Sequence, residues 1–200
     1  DNLRWSLKSI FLLHLRNKTD EVIYVDSDIF FFNDHHFLFN ELKRCSVLLT
    51  PHRGQFNPFE NEVKFKMNFL TGLYNAGFVG ASQQGKGILE WWSTCCLYKT
   101  EKDPANGFFD DQRYLDLVPI IDPATKVLHH PGCNVGSWNI ETAKRTIGKN
   151  SETMISETFP VVFIHFNHET IRHILNRNDS LLIPYFEKYK KAFADAGGDL

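Results

Sequence analysis

Two aspartates separated by one residue, Asp26 and Asp28, are the side chains that point most directly to chemistry. Side chains at positions i and i+2 of an extended segment point the same way, roughly 6.5–7 Å apart along the chain. Two carboxylates about 5 Å apart repel each other by roughly 3 kcal/mol at an effective dielectric constant near 20. A divalent cation relieves that repulsion and can stabilise charge on a phosphate leaving group. The pair therefore predicts a centre for Mn²⁺ or Mg²⁺.

The residues around the pair decide between this interpretation and a simpler one. An isolated D-x-D is weak evidence, because acidic pairs are common in solvated surface turns. Here an apolar run at 22–25 precedes the pair and a second apolar run at 29–32 follows it. A carboxylate without a partner is costly in apolar surroundings. The context therefore favours a functional site over a surface turn.

The predicted helices and strands that must position the pair alternate along the chain. The apolar spacing predicts helices over residues 3–16, 37–43, 87–99, 109–117 and 181–196, and strands over 21–25, 46–50, 74–81, 126–129 and 161–166. This alternation predicts an α/β fold with a largely parallel sheet covered by helices. Ligands in such folds bind at the carboxyl ends of the strands. If the strands run parallel, Asp26, Asp28 and His165 share one edge of the sheet.

Composition limits the classes of protein that fit. Two hundred residues suit one domain spanning 1–200, and a net charge of -2 with pI near 6.5 argues against a nucleic-acid partner. The four cysteines form no C-x-x-C pair, which favours reduced thiols. No apolar run approaches the roughly 18 residues of a transmembrane segment, and we expect no signal peptide. We expect a cytoplasmic protein, with the inner face of the membrane as the alternative location.

Four segments resemble one enzyme family when they are taken in order. V-I-Y-V-D-S-D-I at 22–29 resembles the D-x-D segment of GT-A fold glycosyltransferases, particularly the family 8-like bacterial enzymes of lipopolysaccharide or capsule type. Residues 74–79 resemble the family's N-A-G strand, 109–112 its D-Q segment and 163–166 its H-F segment. The resemblance implies a Rossmann-like mixed sheet flanked by helices. It also implies a nucleotide-sugar donor, usually a UDP-sugar, and Mn²⁺ or Mg²⁺.

The resemblance also implies roles for individual residues. The implied metal ligands are Asp26, Asp28 and His165. The implied donor-sugar contacts are Asn75, Ala76 and Gly77, and the implied catalytic pair, which would contact sugar hydroxyls or position the acceptor, is Asp111 and Gln112. Residues 129–139 resemble the loop H-P-G-x-N-x-x-x-W-N of related bacterial sequences, which implies donor or acceptor positioning by Asn134, Trp138 and Asn139.

The chain departs from the family pattern at two places. The K-P-W that often follows H-F is absent, and His168 and Arg172 are the candidates to replace the phosphate contacts of its lysine. Only 25 residues precede Asp26, whereas the GT-A fold normally begins with a nucleotide-binding strand well upstream. Either the domain is truncated at its N-terminus and lacks those strands, or it binds the nucleotide differently, and of the two we expect the truncation.

Simpler roles remain open for most of these residues. His165 could be a core histidine, Asp110 and Asp111 could cap a helix, Asn75 could be a turn residue, and Trp138 could stack on a sugar or pack in a core. Two other functions compete with sugar transfer. A dehalogenase-like phosphatase would use Asp26 as nucleophile, but Phe30 occupies the position of its usual Thr or Val. The second competing function is that of a module that binds carbohydrate without turnover. The favoured prediction is a retaining glycosyltransferase with a glycan or glycolipid acceptor.

Overall fold

The computed structural model describes residues 2–198, and side chains from residue 5 onward, so the side chain of Leu3 and residues 1, 199 and 200 lie outside the described part. The chain divides into two compact units. The first comprises residues up to 26 and 35–129, and the second comprises 27–34 and 130 onward. The single domain expected over residues 1–200 stays a prediction, because one domain can contain two compact units.

Seven α-helices and eleven strands lie within residues 2–198. The helices are α1 (Asn2–Arg16), α2 (His36–Leu42), α3 (Glu62–Leu70), α4 (Lys86–Tyr98), α5 (Val118–Ile121), α6 (His168–Leu175) and α7 (Ile183–Asp195). The strands are β1 (Glu21–Val25), β2 (Ile29–Phe31), β3 (Val47–Pro51), β4 (Tyr74–Ser82), β5 (Lys102–Asp103), β6 (Phe108–Phe109), β7 (Lys126–Val127), β8 (Arg145–Ile147), β9 (Thr153–Ile155), β10 (Phe159–Pro160) and β11 (Phe163–His165).

A four-stranded sheet forms the centre of the first unit. Its strand order is β1-β4-β3-β7, with β4 antiparallel to both β1 and β3 and with β3 parallel to β7. The α/β class and the mixed sheet are therefore confirmed, whereas the expectation of a largely parallel sheet is wrong. The buried β4 lies between two partners because its nine residues offer a continuous run that both neighbours can pair with. The two short strands β5 and β6 form a separate hairpin.

Helix α1 is confirmed, but its buried face is not the one that its apolar residues indicate. Leu7, Ile10 and Phe11 are exposed, whereas Ser9 and Leu12 are completely buried. Small side chains let two helices approach closely. Helix α1 accordingly packs against α4 through serines, with Ser6 Oγ 3.5 Å from the carbonyl oxygen of Cys96. The apolar pattern alone did not distinguish this close contact from a broad apolar face.

The second unit has its own sheets and core. Strands β2 and β11 pair antiparallel, and β10, β9 and β8 form a three-stranded antiparallel sheet. Helices α6 and α7 contribute apolar side chains to a core rich in aromatic rings, in which the rings of Phe166 and Tyr189 stack with centroids 4.4 Å apart. This core holds the β2–β11 pair in place from one side.

Most predicted elements are present, and the structure adds others, among them helices α3 and α6. Helix α3 was not predicted because its apolar residues, among them Val63, Met67 and Phe69, are exposed and follow no buried stripe. Its start is marked instead by Asn61, whose side chain accepts a hydrogen bond from the Lys64 backbone N–H at 3.1 Å. No helix among residues 2–198 has both the length and the apolar character needed to cross a membrane.

Candidate functional site

The first aspartate of the pair lies at the end of a paired strand. Val25, the last residue of β1, pairs with Phe78 of β4, and the Asp26 N–H donates a hydrogen bond of 2.8 Å to the Gly77 carbonyl oxygen. The backbone of Asp26 is thus held beside the N-A-G segment. In the first unit, the strand pairing brings Asp26 next to the residues that the resemblance assigns to the donor sugar.

The carboxylate of Asp26 has two partners in the first unit. The Tyr24 hydroxyl donates to Asp26 Oδ1 at 2.7 Å, as the same-face geometry of positions i and i+2 on a strand allows. Lys8 Nζ of α1 lies 3.1 Å from the same oxygen and 3.5 Å from Asp111 Oδ2. Lys8 therefore joins two acidic groups that are far apart in sequence. Lys8 was not predicted from the sequence, because α1 also carries arginine and histidine side chains and no local pattern distinguishes this lysine from them.

Asp111 is the most deeply buried acidic group of this cluster. It is 2% exposed, and burial raises the pKa of its carboxyl to about 6. The nearby Lys8 ammonium opposes that rise, whereas Asp26 and Asp110 add to it. Burial also opposes the charge on Lys8, but the carboxylates of Asp111 and Asp26 outweigh it and raise the Lys8 pKa. The two groups therefore stabilise each other's charged forms.

The helix expected over residues 109–117, with Asp110 and Asp111 in its first turn, is wrong. Strand β6 ends at Phe109, Asp110 adopts a left-handed conformation with φ of 52°, and a 3₁₀ helix begins only at Arg113. This conformation costs about 1–3 kcal/mol in a residue other than glycine. Asp110 N–H donates to the Glu101 carbonyl oxygen at 3.1 Å, and its carboxylate lies 3.5 Å from Lys102 Nζ. These contacts hold the turn that carries Asp111 inward.

Gln112 and the N-A-G segment are close together in the first unit. Gln112 Oε1 accepts a hydrogen bond from Ala76 N–H at 3.2 Å, and its Nε2 donates to the Thr71 carbonyl oxygen at 2.8 Å. Asn75 Oδ1 accepts from Gly77 N–H at 2.7 Å. Both ends of the Gln112 amide are thus engaged by backbone groups. These contacts give Gln112 a role in holding the start of β4, and they link the implied catalytic pair to the implied sugar contacts.

We expect Asp111→Asn to change how the stability of the metal-free protein depends on pH. The folded-state pKa of Asp111 lies above its unfolded value, so the folded state binds the proton more tightly than the unfolded state does. The contribution of this carboxyl to the free energy of unfolding therefore falls as pH rises from about 4 to about 6. The shift corresponds to about 3 kcal/mol. Urea unfolding in EDTA should show the variant gaining stability relative to wild type across this interval. Parallel pH profiles for the two proteins would contradict the burial argument.

In the second unit, Asp28, the other aspartate of the pair, lies next to His165, the histidine predicted as a metal ligand. Asp28 Oδ1 lies 3.0 Å from His165 Nε2. The antiparallel pairing of β2 with β11 matches Ile29 to His165, and Phe166 N–H donates to the Asp28 carbonyl oxygen at 2.7 Å. The expectation that the strands next to Asp28 and His165 run parallel and share one edge of a sheet is therefore wrong. The prediction that Asp28 and His165 lie together is confirmed, because an antiparallel pair places the residue before one strand beside the end of the other.

This pair has the chemistry of a metal-binding group. The His165 side chain is only 9% exposed, whereas the Asp28 carboxylate is 37% exposed and open to a ligand. A carboxylate oxygen and an imidazole nitrogen side by side suit a divalent transition metal. Asp26 precedes Asp28 by two residues, so the chain itself keeps its Cα within about 7 Å of the Asp28 Cα. The residues present therefore fit a divalent ion.

The loop at 131–139 is held internally rather than open. Asn134 and Asn139 are completely buried, and Asn139 Nδ2 donates to the Asn134 carbonyl oxygen at 2.8 Å. A Cβ on Gly132 would lie 1.9 Å from the Pro160 carbonyl oxygen, so only glycine fits there. The two asparagines shape the loop, while Trp138 packs edge-on against the His165 ring. Trp138, one of the three implied positioning residues in this loop, is thus in contact with the candidate metal-binding pair.

Comparison with known proteins finds two related sequences from one bacterium. No established protein-family profile matches the chain. It is 34% identical over 169 residues to the uncharacterized protein YfnF of Bacillus subtilis (strain 168), covering 82% of this chain and 55% of YfnF. It is also 34% identical over 176 residues to the uncharacterized protein YfnD of the same strain, covering 84% of this chain and 53% of YfnD. The chain spans about half the length of these curated relatives.

Solved structures show which fold this is. The crystal structure of a glycosyltransferase involved in the glycosylation of the major capsid of PBCV-1 matches with a TM-score of 0.54 and 12% identity, covering 89% of this chain and 77% of the other. The chain has a glycosyltransferase fold. Mouse xyloside xylosyltransferase 1 gives a TM-score of 0.47 and 14% identity, covering 83% of this chain and 63% of the other.

Proposed function

We propose that this chain transfers a glycosyl group from a nucleotide-diphosphate sugar, a UDP-sugar in the first instance, to a hydroxyl of a glycan or glycolipid. The observation that carries the proposal is the contact between His165 and Asp28, the second aspartate of the D-x-D, in a chain with a glycosyltransferase fold. In the reaction the bond between the anomeric carbon and the diphosphate oxygen breaks. A bond to the acceptor oxygen forms, and the acceptor hydroxyl loses its proton.

The proposed metal centre consists of Asp26, Asp28 and His165, holding Mn²⁺ or Mg²⁺. When bound, the ion supplies Lewis-acid stabilisation of the negative charge on the diphosphate leaving group. The protein's own part is to hold the ligands. The β2–β11 pairing fixes Asp28 and His165, and the hydrogen bond to Gly77 fixes the backbone of Asp26. Lys8 of α1 forms an ion pair with the Asp26 carboxylate, with Nζ 3.1 Å from Oδ1.

The proposed donor-sugar site uses the first unit. Asn75, Ala76 and Gly77 line it in this proposal, and the Asp111 carboxylate accepts hydrogen bonds from sugar hydroxyls or positions the acceptor. The contacts of Gln112 with Ala76 and Thr71 support a positioning role for its amide. The proposal extends to a family 8-like enzyme that retains anomeric configuration and acts in bacterial lipopolysaccharide, capsule or other polysaccharide biosynthesis. A cytoplasmic location, with the inner face of the membrane as the alternative, is part of the same proposal.

The proposal is tested by metal binding and donor turnover measured on the same protein. Free Mn²⁺ is followed by electron paramagnetic resonance during titration of the 200-residue chain, with and without UDP, and UDP release from a panel of UDP-sugars is measured with Mn²⁺ and with EDTA. We expect saturable Mn²⁺ binding that UDP strengthens, and release of UDP that EDTA abolishes.

The alternatives give different results in these experiments. A folded protein that binds no Mn²⁺ would contradict the proposed centre. Metal-dependent phosphate release from a phosphomonoester, lost in Asp26→Asn, would instead support the phosphatase. Binding of a glycan that neither UDP nor Mn²⁺ changes would support the module without turnover.

A further inference from the structure

The imidazole of His165 lies in a T-shaped contact with a tryptophan of the same unit. The ring centroids of Trp138 and His165 are 5.6 Å apart, and their planes are inclined at 82°. Edge-to-face contacts of aromatic rings at this distance contribute about 0.5–1.5 kcal/mol. Rotation of an imidazole about its bond to Cβ has broad preferences, so the ring needs outside contacts to fix its orientation. The Trp138 ring is one such contact, while Nε2 faces Asp28 at 3.0 Å.

Trp138 itself is held by the backbone that carries it. It is the central residue of a 3₁₀ helix over Ser137–Asn139. A Cβ on Gly136 would lie 2.4 Å from the Trp138 ring, so the ring lies directly over a residue that leaves room for it. Gly136 N–H donates to Asn139 Oδ1 at 3.2 Å, and Ser137 N–H donates to Thr170 Oγ1 at 3.1 Å. The position of the ring is therefore set by its backbone and by α6.

A buried ion pair fixes this short helix in turn. Arg145 donates from Nη2 to the Gly136 carbonyl oxygen at 2.8 Å and from Nη1 to the Asn139 carbonyl oxygen at 3.1 Å, and its Nε lies 3.1 Å from Asp179 Oδ2. Both side chains of the pair are 3% exposed. Burying two charges is costly, but removing one partner of such a pair costs more, so the pair ties together the segments that it contacts. Here it secures the backbone on both sides of Trp138.

We propose that Trp138 is a positioning residue for His165, and that the Arg145–Asp179 pair holds Trp138 in place for this purpose. This inference rests on the proposed metal centre. Groups that orient a metal ligand without touching the metal typically change metal affinity 10–100-fold when they are removed. Trp138 acts on the ligand in this arrangement, rather than on a sugar.

The test is the Mn²⁺ affinity of Trp138→Leu, measured by electron paramagnetic resonance without any nucleotide. We expect a loss of at least about 10-fold, and recovery of most of it in Trp138→Phe, which keeps a ring edge. If the leucine variant does not fold, Trp138→Met tests the same point, since methionine fills irregular space without a ring. Circular dichroism and urea unfolding report the folded state of each variant.

Trp91→Leu is the matched control, because Trp91 is a half-buried tryptophan packed against the core of the first unit. Its Mn²⁺ affinity should equal that of wild type even if its stability falls. Wild-type affinity in Trp138→Leu, with weaker binding of a UDP-sugar, would overturn this inference in favour of direct contact with the donor. Absence of Mn²⁺ binding in folded wild type would overturn the metal centre itself, and the inference with it.

Discussion

Asp28→Ala is expected to weaken Mn²⁺ binding by at least about 100-fold, since removal of even an outer-shell partner of a metal ligand typically costs 10–100-fold. Turnover of a UDP-sugar should fall with it, because the charge on the departing diphosphate would lose its counterion. The variant should stay folded. The carbonyl oxygen of Asp28, which accepts the Phe166 N–H, is unchanged, and the carboxylate that is removed is 37% exposed.

Two further variants make the Asp28 result specific. Asp28→Asn keeps the size of the side chain and removes its charge, so it should resemble the alanine variant if charge is what binds the ion. Asp195→Ala removes an exposed carboxylate of α7 that pairs with Lys191, and it should leave Mn²⁺ affinity unchanged. Mn²⁺ binding that survives both Asp28 variants would show that the ion binds elsewhere.

Lys8→Met is expected to destabilise the metal-free protein by about 3–5 kcal/mol, the usual cost of removing one partner from a buried ion pair. The Lys8 side chain is 12% exposed and that of Asp111 is 3% exposed, so the substitution leaves a buried carboxylate without its nearest positive charge. Because methionine has a similar length, little of the loss should come from packing. Urea unfolding at neutral pH measures the change in the free energy of unfolding.

The double variant Lys8→Met/Asp111→Asn separates charge from packing. Removing the carboxylate as well should restore most of the lost stability, since a neutral amide needs no counterion. Lys191→Met provides the exposed control, because the ion pair of Lys191 with Asp195 has side chains 77% and 65% exposed and should contribute less than about 1 kcal/mol. If the double variant is as unstable as Lys8→Met alone, the ion pair does not account for the effect.

Local patterns predicted the elements well where burial follows the apolar pattern. The buried strand β4 and helices α4 and α7 were predicted from runs and spacings within a few residues. The turn at Asp110 was predicted as helix because F-D-D-Q has no local mark of a left-handed residue, whereas contacts with Glu101 and Lys102 stabilise that conformation. Helix α3 was missed because its apolar side chains are exposed and form no buried stripe of the kind on which the helix predictions depend.

The sequence by itself determined the acidic pair, its apolar surroundings and the histidine that ends the last strand, because residue types and their spacing are local properties. Tertiary structure alone decided that β2 and β11 pair antiparallel, which is what brings Asp28 to His165. It also decided that Lys8 joins Asp26 to Asp111, and that burial raises the Asp111 pKa to about 6. Pairing between distant segments and the loss of water around a charge depend on the folded chain as a whole, and no local pattern contains them.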